Sequence, residues 1–150
     1  MFEFGSGGST LWLSDRGATV TSVEHSEEWF HAILPTLQEH ADLLWIPATP
    51  TGTIRSSKDG LCYDAYVKSI TRFPTETFDL VVIDGRARVD CVRYSQDRIK
   101  PGGMLLLDDS ARKRYASVHI SLRDWSSLTL SGPKLGQSYA RSTIWTKPCD

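Results

Sequence analysis

The residues best suited to chemistry begin at position 3, where an acidic residue precedes a run of glycines. Residues 3–10 are Glu-Phe-Gly-Ser-Gly-Gly-Ser-Thr. Glycines in a turn let the backbone bend sharply and let a ligand approach the start of the next helix. The nicotinamide dinucleotide fingerprint requires a third glycine at position 10, where this chain has Thr10. Alone, the segment fits either a ligand loop or an ordinary tight turn.

A second acidic residue, Glu24, ends the next predicted strand and lies 21 residues after Glu3. A carboxylate at this place can accept hydrogen bonds from the hydroxyls of a ribose. The alternative is a solvated charge at the end of a strand, as in many α/β proteins. Taken together with the glycine-rich turn, Glu24 predicts a cofactor that contains a nucleoside.

Basic residues gather after two later predicted strands. Arg86 and Arg88 follow one strand, and Arg112, Lys113 and Arg114 follow the next. Such a cluster can bind a carboxylate, a phosphate or a short piece of nucleic acid. Cations at the start of a helix oppose its dipole, which favours a functional reason for them. Solvated surface charges are the alternative.

These residues need a scaffold that brings the ends of several strands together. Strand-like and helix-like segments alternate through most of the chain, which is typical of a parallel sheet wrapped by helices. Two late strands in succession indicate an antiparallel pair at one edge. Ligands of such sheets bind at the carboxyl ends of the strands. The predicted strands span residues 1–4, 19–23, 43–46, 78–83, 104–107, 127–130 and 141–146, and the predicted helices span 9–15, 26–37, 65–73, 89–99 and 115–122.

Apolar residues in these segments predict the core. The strands at 78–83 and 104–107 have the continuous apolar character of strands buried on both faces. In the first helix, Leu11, Trp12 and Leu13 are predicted to pack inward. Core packing is also the predicted role of the tryptophans, Trp12, Trp29, Trp45, Trp125 and Trp145.

Composition limits the class of protein. The 150 residues fit a single domain over 1–150, and the net charge of −1 argues against a domain whose main task is nonspecific binding of nucleic acid. Cys62, Cys91 and Cys149 show no metal-ligand spacing. With neither a signal peptide nor a long apolar segment visible, we expect a cytoplasmic chain with reduced cysteines and no membrane span.

Four segments in this order resemble the successive motifs of the class I S-adenosylmethionine-dependent methyltransferases: residues 3–9, 20–24, 78–85 and 100–109. The resemblance runs from residue 1 to Trp145. It implies a doubly wound, Rossmann-like α/β fold with a seven-stranded, mostly parallel sheet, an antiparallel edge strand pair and helices on both faces. It also implies S-adenosylmethionine as the cofactor and transfer of its methyl group to an acceptor.

The resemblance implies roles for particular residues. Gly5, Ser6 and Gly7 would face the methionine part of the cofactor. Glu24 would face the ribose, and Asp84 the region near the methyl donor. The predicted cofactor-binding residues are Glu3, Gly5, Ser6, Gly7, Ser9, Glu24, His25 and Asp84, where Ser9 replaces the third loop glycine common in the family.

Methyl transfer to a hydroxyl or an amine needs in-line placement of the acceptor and loss of its proton. Asp84 and Asp109 are the predicted catalytic residues, while Arg86 and Arg112 are predicted to bind an anionic acceptor. In the alternative, Asp84 only holds the cofactor and Asp109 only caps a helix.

Asp84, Asp108 and Asp109 also look like the acidic set that holds a divalent cation in catechol-type O-methyltransferases. Those enzymes usually carry an Asn at the last position, where this chain has Asp109. We therefore expect no tightly bound metal to be required.

The predicted acceptor is a small or medium, anionic molecule rather than nucleic acid. The alternative function is a noncatalytic module that binds S-adenosylmethionine or a partner. Because the first strand begins at Met1, the N-terminal helices that cover the cofactor in relatives are expected to be missing. Another subunit of a homo-oligomer or the loop over residues 47–59 would then complete the acceptor site.

Overall fold

Strands of one sheet form the centre of the computed structural model, which describes residues 1–134 and 137–149. Within these residues the seven strands are β1 (Phe2–Phe4), β2 (Val20–Glu24), β3 (Ala41–Trp45), β4 (Phe78–Ile83), β5 (Ile99–Leu107), β6 (Ser126–Lys134) and β7 (Gln137–Thr146). Their order is β3-β2-β1-β4-β5-β7-β6. Neighbours among β1 to β5 are parallel, and β7 is antiparallel to both β5 and β6. The predicted sheet is confirmed.

Helices lie on both faces of the sheet. They are α1 (Gly8–Ser14), α2 (Glu27–Ile33), α3 (Asp64–Lys68), α4 (Arg88–Ser95) and α5 (Ala116–Ser121). α1 and α2 pack on β2, and α2 also packs on β3, whereas α4 packs on β4, β5, α3 and α5. No helix in the described part of the chain is long and apolar enough to cross a membrane.

The main core lies between the sheet and the helices α3, α4 and α5. Alternate residues of the central strands enter it, namely Phe2, Phe4, Val81, Ile83, Leu105 and Leu107. The Phe2 ring packs edge-on against the rings of Phe4 and Phe73, with centroids 4.9 and 5.9 Å apart. The Phe2 ring also packs against Phe78 of β4, with centroids 5.4 Å apart, so ring contacts and close packing hold β1 and β4 together beneath their carboxyl ends.

The predicted packing of the first helix is wrong for Trp12, whereas Leu11 and Leu13 are half-buried. Residues 11–13 do not supply the buried face of α1, and Trp12 is 55% exposed. The buried residues of the helix are Thr10 and Ser14. The hydroxyl of Thr10 donates to the carboxylate of Glu3 on β1, so a polar side of α1 faces the sheet.

The tryptophans divide into two groups. Trp145 is buried in the core, as predicted, and Trp125 packs against it partly buried. Trp29 and Trp45 are 47% and 41% exposed, so the predicted core role is wrong for both, as it is for Trp12. All three exposed rings belong to α1, α2 and β3, away from the main core.

β5 begins earlier and is less buried than predicted. It starts at Ile99, and the helix predicted over 89–99 ends at Ser95. The sheet face that carries Glu3 also carries Met104, and this face has α1 and α2 packed over β2 and β3. Met104 is therefore 41% exposed, and burial of residues 104–107 on both faces is a wrong prediction.

Hydrogen bonds hold the long connection between β3 and α3. Thr49 and Cys62 exchange backbone hydrogen bonds of 2.9 and 2.8 Å. The carboxylate of Asp64 accepts from the amides of Thr53 and Ile54, each at 3.0 Å. This segment therefore has a defined path along the carboxyl ends of the strands.

Candidate functional site

Two glycines hold the ends of β1 and β4 in contact. Gly5 has a φ of +95°, and a Cβ there would lie 2.8 Å from both the Cα and the N of Gly85. A Cβ on Gly85 would meet the buried hydroxyl of Tyr66. The amide of Asp84 donates to the carbonyl of Phe4 at 3.0 Å. The strand order reverses between β1 and β4, which is the usual ligand position in such sheets.

The Glu24 carboxylate ties the glycine-rich turn to the end of β2. Its Oε2 accepts from the amide and the hydroxyl of Ser6 at 3.1 and 3.2 Å. Its Oε1 accepts from the amides of His25 and Ser26, each at 2.8 Å. Burial raises the pKa of this carboxyl, but the hydrogen bonds from His25 and Ser26 outweigh burial, so the pKa lies below its usual value. Glu24 is therefore an anion at neutral pH.

An open cleft of about 380 Å³ lies next to this carboxylate. We call it the Glu24 cleft, and its lining residues are Gly5, Ser6, Glu24, His25, Ser26, Trp29, Asp84, Gly85 and Arg86. The cleft brings together five of the predicted cofactor-binding residues, Gly5, Ser6, Glu24, His25 and Asp84. Its volume lies in the range of small-molecule sites.

Trp29 lines the Glu24 cleft although the sequence predicts it for the core. Its indole N–H donates to the carbonyl of Ser6 at 2.7 Å. The hydroxyl of Ser26 accepts from the Trp29 amide at 3.3 Å and caps α2. A tryptophan in the first turn of a helix that follows a strand-end carboxylate is the sequence signal that points to this position. An exposed aromatic face beside Glu24 suits a ligand with a flat ring and hydroxyl groups.

Three predicted cofactor-binding residues, Glu3, Gly7 and Ser9, are outside the described lining of the Glu24 cleft. Glu3 is fully buried beneath α1. Its carboxylate accepts from the hydroxyls of Ser9, Thr10 and Ser22. Burial raises the pKa of this carboxyl, and the three hydroxyl donors oppose the rise. Glu3 therefore holds the start of α1, directly after the glycine-rich turn, against the sheet by hydrogen bonds.

Glu3→Gln is expected to make stability less dependent on pH. The raised pKa means that the folded chain holds this proton more tightly than the unfolded chain. The stabilisation is complete below the ordinary carboxyl pKa and is lost as the pH rises through the raised pKa. The free energy of unfolding of Glu3→Gln, relative to wild type, should therefore increase between about pH 4 and neutral pH.

The measurement is chemical unfolding of both proteins at several pH values, with the exposed Glu39→Gln as the control. The control should differ from wild type by a constant amount. A constant difference for Glu3→Gln as well would contradict the prediction.

A second cleft, of about 390 Å³, adjoins the first. We call it the arginine cleft, because Arg55, Lys58, Arg86, Arg88, Arg112 and Arg114 line it. Gly85 and Arg86 line both clefts. The structure thus brings the predicted acceptor-binding residues Arg86 and Arg112 to one cleft. Arg55 and Lys58 join them from the connection after β3, and the sequence pattern did not point to either.

Asp84 lies where the two clefts meet. Its side chain is 49% exposed, and its Oδ1 accepts from Arg88 Nη2 at 2.7 Å. Arg88 also donates to the carbonyls of Gly85 and Asp108 at 3.0 and 2.6 Å. Arg88 therefore ties the ends of β4 and β5 together and fixes the Asp84 carboxylate at the edge of the Glu24 cleft.

Asp109 is outside the described lining of both clefts. It is 7% exposed, its φ is +53°, and its carboxylate accepts from Arg112. The structure places it behind Arg112. Among the described residues, no group of three or more His, Cys, Asp or Glu side chains is arranged to hold a metal ion.

Known proteins resemble this chain in fold but not detectably in sequence. Neither a protein-family model nor a curated protein matches this sequence. Solved structures do match. An O-methyltransferase from Bacillus cereus, in complex with S-adenosylhomocysteine (SAH), has a TM-score of 0.67 at 17% identity, over 97% of this chain and 73% of that one. Precorrin-6y C5,15-methyltransferase from Geobacter metallireducens has a TM-score of 0.63 at 12% identity, over 98% of this chain and 79% of that one.

An rRNA methylase from Streptococcus thermophilus is also similar, with a TM-score of 0.61 at 13% identity, over 98% of this chain and 86% of that one. At such identities the likeness shows the fold. The chain has the class I Rossmann-like fold of these methyltransferases, as its motifs predict. The neighbours are named for different acceptors, so the fold does not select one.

Proposed function

We propose that this chain is an S-adenosylmethionine-dependent methyltransferase with a small or medium, anionic acceptor. The observation that carries the proposal is the pair of adjoining clefts, which share Gly85 and Arg86 at the reversal point of the sheet. The Glu24 cleft is suited to a donor and the arginine cleft to an acceptor. Structural neighbours of the same fold are methyltransferases, and one of them was solved with SAH.

The residues of the Glu24 cleft fit S-adenosylmethionine. The anionic Glu24 already accepts four hydrogen bonds, so a ribose hydroxyl would bind to it by replacing the hydroxyl of Ser6 as a donor. The exposed face of Trp29 offers a flat apolar surface for the adenine. The positive φ at Gly5 lets the backbone turn away, so the methionine part can lie close to the main chain. When bound, the cofactor supplies an electrophilic methyl group whose carbon–sulfur bond breaks as the acceptor attacks.

The chain's own residues then position the acceptor and take its proton. Arg86 and Arg112 would bind the anionic part of the acceptor in the arginine cleft. Asp84 would accept the proton of the attacking hydroxyl or amine, with Arg88 holding its carboxylate in place. Asp109, the second residue predicted to be catalytic, would act in this arrangement by holding the Arg112 guanidinium, and a direct acid–base role would require it to leave that ion pair. No tightly bound metal is part of the proposal.

We extend the proposal to assembly and location. Exposed apolar residues on β5 and β6, among them Met104 and Leu128, favour a homo-oligomer because burying them stabilises an interface.

Cys62, Cys91 and Cys149 are free, which agrees with the predicted cytoplasmic location. The net charge of −1 favours a small acceptor over nucleic acid.

The second candidate function is a noncatalytic module that binds S-adenosylmethionine or SAH. The observation that favours it is Asp109, which is buried and paired with Arg112 and so cannot reach an acceptor without rearrangement.

Methyl transfer itself distinguishes the two functions. The purified chain is incubated with methyl-labelled S-adenosylmethionine and a pool of anionic metabolites. An enzyme releases SAH in step with labelled product, whereas a module binds the cofactor and releases no SAH above the level seen without acceptor. The latter result, obtained across pools that include nucleic acids, would contradict the proposed function.

A further inference from the structure

The arginine cleft carries positive charge that its own carboxylates do not balance. Three of its cations are paired, Arg86 with Asp59, Arg88 with Asp84 and Arg112 with Asp109. Within residues 1–134 and 137–149, the other three, Arg55, Lys58 and Arg114, form no ion pair. Asp90 also lines the cleft, and burial raises the pKa of its carboxyl.

The three unpaired cations come from two segments that the fold brings to one place. Arg55 and Lys58 lie on the connection between β3 and α3, where Arg55 Nη1 donates to the carbonyl of Gly60. Arg114 follows β5, and its guanidinium lies 5.1 Å from the centre of the Tyr115 ring. Like charges that line one cleft repel one another, so a bound anion would relieve a cost that the free chain carries.

The charge surplus and the size of the cleft point to a particular anion. A phosphate monoester carries about −1.5 to −2 charges at neutral pH and three strong acceptor oxygens. Guanidinium groups bind such oxygens in pairs. A single carboxylate would neutralise only one of the unpaired cations, Arg55, Lys58 and Arg114. The cleft of about 390 Å³ has room for such a group on a small molecule.

Part of the positive charge elsewhere on the described surface is balanced by neighbouring carboxylates. Lys100 lies 2.8 Å from Asp79, and Arg123 lies 3.8 Å from Asp124. A protein that follows a phosphate backbone needs many phosphate contacts along an extended surface. Arg55, Lys58 and Arg114 line one cleft next to the proposed methyl donor, and Lys113 and Arg141 line the neighbouring cleft that shares Arg112, so the unbalanced charge is concentrated at this end of the sheet.

We propose that the acceptor is a small phosphorylated molecule, and that Arg55, Lys58 and Arg114 bind its phosphate together with Arg86 and Arg112. This inference rests on the proposed function, because it assigns the acceptor of that same site. The phosphate would be held in the arginine cleft, and the hydroxyl or amine to be methylated would lie towards Gly85 and Asp84.

Thermal unfolding in the presence of inorganic phosphate tests the inference without any turnover. Wild type is compared with the double variant Arg55→Gln/Arg114→Gln. The matched control is Arg123→Gln, at an exposed arginine outside the cleft. Ionic strength is kept constant with sodium chloride, and acetate replaces phosphate in a parallel series. A ligand that binds the folded chain raises the midpoint of unfolding. We expect phosphate to raise it in wild type and in Arg123→Gln, and acetate to raise it less.

In the double variant the phosphate-dependent rise should be lost, while the rise produced by SAH should be unchanged. Phosphate also stabilises proteins in general by exclusion from their surface, and that effect would persist in the double variant. A rise of equal size in wild type and double variant would therefore overturn the inference, as would an equal effect of acetate. Saturable binding of single-stranded RNA, with no loss of the phosphate effect in the double variant, would also overturn it. Failure of SAH to raise any midpoint would instead contradict the proposed function.

Discussion

Gly5→Ala is expected to lower the free energy of unfolding by about 4 kcal/mol, the sum of backbone strain and overpacking. A φ of +95° is unfavourable for a residue with a side chain, and the new Cβ would lie 2.8 Å from the Cα of Gly85. This clash is with backbone, which cannot rotate away as a side chain does. Gly85 is in turn confined by the buried Tyr66 hydroxyl. Denaturant unfolding followed by circular dichroism measures the loss.

Gly7→Ala in the same turn is the matched control. Gly7 has an extended φ of 172°, and among the described residues no atom would lie within 4 Å of its Cβ. We expect this variant to differ from wild type by less than about 1 kcal/mol. Equal losses for Gly5→Ala and Gly7→Ala would show that contact between the ends of β1 and β4 does not hold the turn.

Glu24→Ala is expected to weaken SAH binding by about 5- to 150-fold, the equivalent of about 1–3 kcal/mol for hydrogen bonds to a charged group. The variant removes the acceptor proposed for the ribose hydroxyls. It also leaves the amides of Ser6, His25 and Ser26 without their carboxylate partner, so the glycine-rich turn loses its tie to β2. Titration calorimetry gives the affinity, and a parallel unfolding curve separates lost binding from lost folding.

Glu28→Ala is the control for Glu24→Ala. Glu28 is exposed in the first turn of α2, where it contributes only a helix-dipole interaction of about 0.3–1 kcal/mol to stability. Its affinity for SAH should match that of wild type. Unchanged binding in Glu24→Ala, or an equal loss in Glu28→Ala, would remove Glu24 from the cofactor site.

The sheet is predictable because its signals are local. Apolar strands separated by turn residues alternate with helical segments, and parallel neighbours require the crossovers that these helices supply. Which face of a helix is exposed cannot be predicted from the helix alone. Thr10 of α1 faces inward because its hydroxyl donates to Glu3, which belongs to β1, and Trp12 therefore faces outward. A helix whose buried side is set by a buried carboxylate does not follow its apolar pattern.

The candidate site shows the same division. Gly5 and Asp84 follow strands, and Glu24 ends one. The carboxyl ends of parallel strands meet at one edge of the sheet (the strand-end rule), so the backbone places these residues together for any side chain at these positions. Arg55 and Lys58 enter the arginine cleft through a connection that is held by distant hydrogen bonds, including those to Asp64. The spacing of residues in the sequence does not predict the route of this connection.

Asp109 shows a further limit. It follows β5, as the strand-end rule requires, yet its left-handed backbone conformation, with φ at +53°, turns it behind Arg112. Sequence position predicts the edge of the sheet on which a residue lies, but the direction of its carboxylate depends on one backbone angle and one ion pair.

Titration calorimetry of the wild-type chain with SAH, and separately with NADH, tests the central claim most directly. We predict saturable binding of SAH and no comparable binding of NADH. The proposed ribose acceptor, Glu24, would serve either ligand, but the glycine-rich turn carries Thr10 where the dinucleotide fingerprint requires glycine. Firm binding of NADH, with no heat from SAH or S-adenosylmethionine, would contradict the assignment of this cleft to the methyl donor.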